Sequence, residues 1–111
     1  MQLKNYSANL TTVITNVAQS PNGYFLSSLG GYLTNLTAGP ITVTLSIYSD
    51  AGALKASVPF TLTADQRLDM SNKMFLGPLE TIKAICSSGT ASIVLFGAET
   101  LVSAEVVPAS W

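Results

Sequence analysis

The chain has 111 residues, 48% of them hydrophobic and only 10% charged, with a formal net charge of −1, one cysteine and no histidine. A chain of this length suits a single domain, which buries roughly two-thirds of its unfolded surface and so builds a core without metals or disulfides. The missing histidine removes the commonest general base and transition-metal ligand, and the scattered cations (Lys4, Lys55, Arg67, Lys73 and Lys83) do not form the basic face that nucleic acid requires.

Residues 1–8 carry Leu3 and Tyr6 without a strand pattern, and are expected to form an N-terminal arm. A first strand is predicted over residues 9–17, which are rich in Thr, Val and Ile. Ser27-Ser28-Leu29 suits a single turn at most, and the flexible pair Gly30-Gly31 leads into a strand at Tyr32-Leu33-Thr34-Asn35-Leu36. The clearest alternation is Ile41-Thr42-Val43-Thr44-Leu45-Ser46-Ile47-Tyr48, with Val43, Leu45 and Ile47 on one face and Thr42, Thr44 and Ser46 on the other. Ser49-Asp50-Ala51-Gly52 has tight-turn composition and joins this strand to Val58-Pro59-Phe60-Thr61-Leu62-Thr63. Pro59 lacks a backbone donor, which places that strand at a sheet edge or Pro59 at a strand start.

Asp65-Gln66-Arg67-Leu68-Asp69 is expected to be a solvated turn with a local ion pair. Strands follow at residues 81–86 and 91–96, joined across Ser87-Ser88-Gly89-Thr90 as a second hairpin. Cys86 alternates with Ile82 and Ala84 and is expected to be a small buried hydrophobe. A tail over residues 101–111 ends in the only tryptophan, Trp111, and either folds back on its own domain or packs on a neighbouring subunit. These elements predict one all-β domain: an antiparallel β-sandwich of six to eight strands, jelly-roll-like, with its core over about residues 8–100.

Ser, Thr and Asn fill positions that Lys and Glu usually occupy, against about 25% charged residues in an average domain. Such a surface repels itself weakly and has little side-chain entropy to lose when covered, which favours assembly. Neither a cofactor nor a metal is expected. Two residue sets suggest other functions. Asp65 and Asp69 flank Arg67 and form the only acidic pair resembling glycosidase carboxylates, while Tyr32 and Tyr48 are candidate rings for a saccharide-binding face. The opening Met1-Gln2-Leu3-Lys4-Asn5 lacks a signal-peptide stretch, and the run Ile93–Phe96 is too short to cross a bilayer, so no membrane partner is expected.

Several segments resemble the small β-sandwich proteins found in virions of tailed double-stranded DNA phages. They are Leu10-Thr11-Thr12-Val13, Gly30-Gly31-Tyr32-Leu33-Thr34-Asn35, Ile41-Thr42-Val43-Thr44-Leu45, Phe60-Thr61-Leu62-Thr63-Ala64-Asp65-Gln66, Leu76-Gly77-Pro78-Leu79-Glu80-Thr81-Ile82-Lys83-Ala84 and Ile93-Val94-Leu95-Phe96-Gly97-Ala98-Glu99. Within that group, the chain is similar to the capsid decoration, or staple, proteins of short-tailed phages. The resemblance implies a non-enzymatic protein made in the host cytoplasm and placed on the capsid exterior. There it binds the major capsid protein, forms a homo-oligomer on the particle and cross-links shell subunits. A neck or tail component of the virion fits the same resemblance. Under this reading the candidate partner contacts are Leu3, Tyr6, Val106, Val107 and Trp111, apolar residues outside the core pattern.

Overall fold

Side chains that alternate in and out along a strand give each sheet one apolar face, and two such faces bury each other. The computed structural model describes residues 2–101, and within them every side chain except those at 28–29 and 71–73. The strands are β1 (Gln2–Leu10), β2 (Thr15–Gln19), β3 (Tyr24–Asn35), β4 (Ile41–Tyr48), β5 (Leu54–Leu62), β6 (Arg67–Leu76), β7 (Thr81–Cys86) and β8 (Ala91–Leu101). They form two four-stranded sheets, ordered β1-β8-β3-β6 and β2-β7-β4-β5.

The pairings explain the topology. β1 pairs with β8, β2 with β7, β3 with β6 and β4 with β5, all antiparallel. This is one long two-stranded ribbon, bent double at the β4–β5 turn, where Gly52 N–H donates to Ser49 O at 3.0 Å. Rolling the ribbon brings β8 beside β3 and β7 beside β4. The result is the expected all-β sandwich with jelly-roll order.

Between the sheets lie Leu10, Leu26, Leu33, Val43, Leu62, Leu76, Ile82, Ile93 and Leu95, all fully buried. Each contributes about 1.5–3 kcal/mol through loss of apolar surface to water. Cys86 joins this core beside Ala84, and burial pushes its thiol pKa up.

Several boundaries differ from the sequence expectation, each for a local reason. Residues 2–8 are strand rather than arm: Lys4, Tyr6, Ala8 and Leu10 turn inward, and pairing with β8 runs from Gln2↔Glu99 to Leu10↔Ala91. The strand expected over 9–17 is two strands. Thr11 Oγ1 accepts from Val13 N–H at 3.1 Å and Thr15 Oγ1 donates to Val13 O at 3.1 Å, which breaks the chain direction at residues 11–14. The segment 27–31 lies inside β3, with irregular register on both sides instead of a turn.

The acidic turn is shorter than expected. Thr63 N–H and Oγ1 both donate to Gln66 Oε1, and Asp65 takes a left-handed φ of 56°, so β6 starts at Arg67. Residues 87–90 do not close a hairpin, because β7 and β8 belong to different sheets. Thr37 Oγ1 accepts from Thr90 N–H at 2.9 Å and Ser87 Oγ accepts from Thr42 N–H at 3.0 Å, which bind this loop to the β3–β4 corner. Pro59 lies on β5, an edge strand, as its missing donor required.

Asn35 holds the loops at this end together. It is 1% exposed, and its Nδ2 donates to Gly39 O at 2.9 Å and Thr63 O at 2.8 Å while its Oδ1 accepts from Thr37 N–H at 2.8 Å. One amide therefore joins the β3–β4 and β5–β6 connections. Asn35→Asp should cost about 3 kcal/mol in urea unfolding at neutral pH, since the carboxylate would face two carbonyl oxygens with no proton to donate. Gly31 is constrained differently: its φ is 152°, and an added Cβ would overlap the Val94 carbonyl oxygen of β8. Gly31→Ala is expected to destabilise by about 3 kcal/mol in the same assay, because the obstacle is backbone in mid-sheet.

Candidate functional site

The two outer faces of the sandwich have opposite chemistry. On the β2-β7-β4-β5 sheet, outward positions carry Thr42, Thr44, Ser46, Ser57 and Thr61. Their hydroxyls meet across the strands: Ser46 and Ser57 are 2.8 Å apart, and Thr42 and Thr61 are 3.5 Å apart. Ser46 is buried while Ser57 and Thr61 are exposed, and the paired hydroxyls satisfy one another.

On the β1-β8-β3-β6 sheet, outward positions carry Leu3, Tyr32, Phe75, Val94 and Phe96, all exposed; Leu3 is 80% and Phe96 43% accessible. The registers Asn5↔Phe96, Ser7↔Val94 and Tyr32↔Val94 place the central members side by side. The Tyr32 and Phe96 rings meet edge to face with centroids 6.0 Å apart, and the Phe25 and Phe75 rings are 5.3 Å apart. Gly30 pairs with Phe96 and puts no side chain beside that ring. Arg67 lies 4.0 Å above the Tyr32 ring, and its Nε is 3.5 Å from Asp69 Oδ1. An apolar band bordered by Asn5, Ser7, Arg67 and Asp69 has the anatomy of a protein contact: aromatic centre, polar rim.

A second apolar feature lies between the edge strands β5 and β6. On the opposite side of the sandwich β1 approaches β2, but β5 and β6 stay apart. The gap is a cavity of about 380 Å³ lined by Leu45, Ile47, Val58, Phe60, Met70 and Met74 among others. Val58 faces this gap opposite Leu45 and is 49% exposed although it belongs to the inner face of its sheet.

The positions singled out from the sequence separate in the structure. Leu3 lies on the outer apolar band, whereas Tyr6 turns inward and packs on the core; burial raises its phenol pKa, and the charge of Glu99 adds to that. Val106, Val107 and Trp111 lie outside the described residues. Tyr32 and Tyr48 belong to different sheets, and each ring carries a cation, Arg67 at 4.0 Å and Lys83 at 4.8 Å. The two tyrosines therefore cannot form one saccharide platform. Asp65 occupies a turn and Asp69 an exposed position on β6, so the pair does not flank a cleft.

The sequence reading missed Phe25, Phe75, Val94 and Phe96 as surface groups. Only strand parity could have revealed them, since Val94 and Phe96 alternate with the buried Ile93 and Leu95 in an uninterrupted apolar run.

At the other end of the sandwich, Glu80 closes the β6–β7 turn. Its Oε1 accepts from Gly77 N–H at 2.7 Å, and its Oε2 pairs with Lys55 Nζ of β5. Partial burial pushes the carboxyl pKa up, but the hydrogen bonds from Lys55 and Gly77 and the charge of Lys55 outweigh it and hold the pKa below the ordinary value. Leu79 in the same turn has a left-handed φ of 63°, and its N–H donates to Ser20 O at 2.9 Å, tying the turn to the β2–β3 connection.

No protein-family model matches the chain, and no curated protein does. Among solved structures the fold is similar to that of Bacillus endospore appendages, described as a novel family of disulfide-linked pili. The TM-score is 0.55 at 11% identity, over 91% of this chain and 86% of that one. At that identity the similarity concerns the fold.

A carboxyl whose folded pKa is lowered contributes stability above its unfolded pKa and loses it as pH falls through the folded value. Glu80→Gln should therefore be less stable than the native chain at about pH 7, with the gap closing by about pH 3 in urea titrations.

Proposed function

We propose that this chain is a non-enzymatic structural subunit that docks on a larger assembly through the outer face of its β1-β8-β3-β6 sheet. The observation that carries this reading is the contrast between the two outer faces: hydroxyl ladders on one, an exposed band of Leu3, Tyr32, Phe75, Val94 and Phe96 on the other. Solvent alone gives no reason for a sheet to place rings outward in a cluster, whereas burial against a partner stabilises them. The low charge of the chain supports the same reading, since few ions need to be desolvated on contact.

The finer proposal names the assembly as a virion capsid, decorated on its exterior. Each copy would tie neighbouring major capsid subunits together, with many copies acting on one shell. Weak individual contacts suffice there, because anchored copies raise the effective concentration of the next contact. The sequence resemblance supports this assignment, and the jelly-roll order is compatible with it. The disulfide linkage named for the Bacillus pili is not carried over: Cys86 is the only cysteine in the sequence and is buried.

Phe96→Glu places a charge at the centre of the band. It should cost the fold about 1 kcal/mol or less while abolishing co-sedimentation with shells assembled from the major capsid protein. Quantitative mass spectrometry of purified virions should find the native chain at a fixed, high ratio to that protein. Native-level co-sedimentation of the variant would move the contact off this face, and a ratio of a few copies per particle would assign the chain to the neck or tail.

A further inference from the structure

Asn22 and Gly23 are the central residues of the turn between β2 and β3, which closes where Tyr24 N–H donates to Pro21 O at 3.1 Å. Gly23 has a φ of 83°, a left-handed value that suits glycine at the third position of such a turn. Asn22 is exposed, and apart from its chain neighbours nothing lies within 4 Å of where a Gly23 side chain would begin. Among the described residues, neither the Asn22 amide nor the Gly23 N–H takes part in a hydrogen bond. The base of the turn is held firmly, since Ser20 is fully buried and its Oγ donates to Tyr24 O at 2.7 Å. The unpaired groups all lie at its tip.

An asparagine carries its carboxamide carbon within ring-closing reach of the next main-chain nitrogen, so attack of one on the other needs no second molecule to be positioned. Folded chains prevent it with a bonded N–H, a pinned amide or a bulky following side chain. Asn35 has all three: its Nδ2 donates to Gly39 O and Thr63 O, Leu36 N–H donates to Thr90 O at 3.1 Å, and leucine follows it. Asn5, Asn9 and Asn16 lie within β1 and β2 and precede Tyr6, Leu10 and Val17. Asn22 has none of these restraints. With no bond on its N–H, the Asn22–Gly23 peptide plane is free to rotate, which carries the Gly23 nitrogen past the Asn22 side chain.

We propose that Asn22 is a site of spontaneous intramolecular deamidation. The Gly23 nitrogen, having given up its proton, attacks Asn22 Cγ. The N–Cγ bond forms and the Cγ–Nδ2 bond breaks, and Nδ2 takes up a proton and leaves as ammonia. Water then opens the cyclic imide. Opening at Cγ leaves aspartate in an unchanged main chain; opening at the Asn22 main-chain carbonyl carbon leaves isoaspartate, with the chain routed through Cβ. Nothing is oxidised or reduced, and water is the only co-reactant. Either product replaces a neutral amide with a carboxylate and takes the formal net charge from −1 to −2, a large relative change where only 10% of residues are charged. The site lies in a connection and not on either outer face, so it stands apart from the docking surface.

The test incubates the full folded chain beside the free peptide Ser-Pro-Asn-Gly-Tyr-Phe, and maps both by mass spectrometry with fragmentation that separates aspartate from isoaspartate. Residue 22 should gain the mass difference between amide and acid in both, at rates within about tenfold of each other. Both rates should rise with pH, because the attacking nitrogen must lose its proton. Asn5, Asn9, Asn16 and Asn35 should keep their amides over the same period. Asn22→Gln enlarges the ring that must close, and should suppress the acidic shift on isoelectric focusing while far-UV circular dichroism stays native. Retention of the amide at residue 22 in the folded chain while the peptide converts would overturn the proposal. Conversion of the other four asparagines at the same rate, or an undiminished acidic shift in Asn22→Gln, would do so as well.

Discussion

A two-layer sandwich seals its interior by facing two sheets, but it cannot seal its sides. Each sheet ends in two strands whose outer hydrogen-bonding groups have no partner, and that constraint governs much of the molecule. Here the edges are β1 and β6 in one sheet and β2 and β5 in the other. β5 carries Lys55 and Pro59, a charge and a missing donor that both discourage a further strand. β2 is only five residues long and has a register shift between Asn16 and Ala18. β1 and β2 approach each other, whereas β5 and β6 stay apart and leave inner-face side chains in water.

The loops supply what the edges cannot. At one end the Asn35 amide spends its donors and acceptor on two neighbouring connections. At the other, Glu80 closes its own turn and reaches Lys55 on a strand of the same sheet. Neither is an isolated surface contact. Each fixes one connection against a distant segment. The aromatic pairs Tyr32–Phe96 and Phe25–Phe75 likewise join residues more than forty positions apart in the chain.

A surface so divided suits a subunit better than a solitary domain. Hydroxyl ladders line the outer face of one sheet, and the band from Leu3 to Phe75 concentrates apolar area on the other. With few charges anywhere, orientation in an assembly would be set by shape and apolar contact more than by long-range steering.

Much of the architecture was legible in the sequence. The alternation in residues 41–48 and 81–86 located β4 and β7 with both ends correct, and it placed Cys86 in the core, because period-two burial is a local property of an extended chain. Pro59 announced an edge through its covalent structure. Other features needed the third dimension. Residues 2–8 alternate only weakly and became a strand because β8 was there to pair with them. Whether residues 87–90 joined partners in one sheet or crossed between sheets depended on the rolling of the ribbon, which sequence-local turn signals do not encode. The outward apolar band was hidden for the same reason: in Ile93-Val94-Leu95-Phe96 every residue is apolar, and only the position of the second sheet decides which half is core. The sequence by itself determined an all-β sandwich with a missing imidazole and one buried thiol; the tertiary structure alone decided which apolar residues face water, because that depends on which side of each sheet its partner covers.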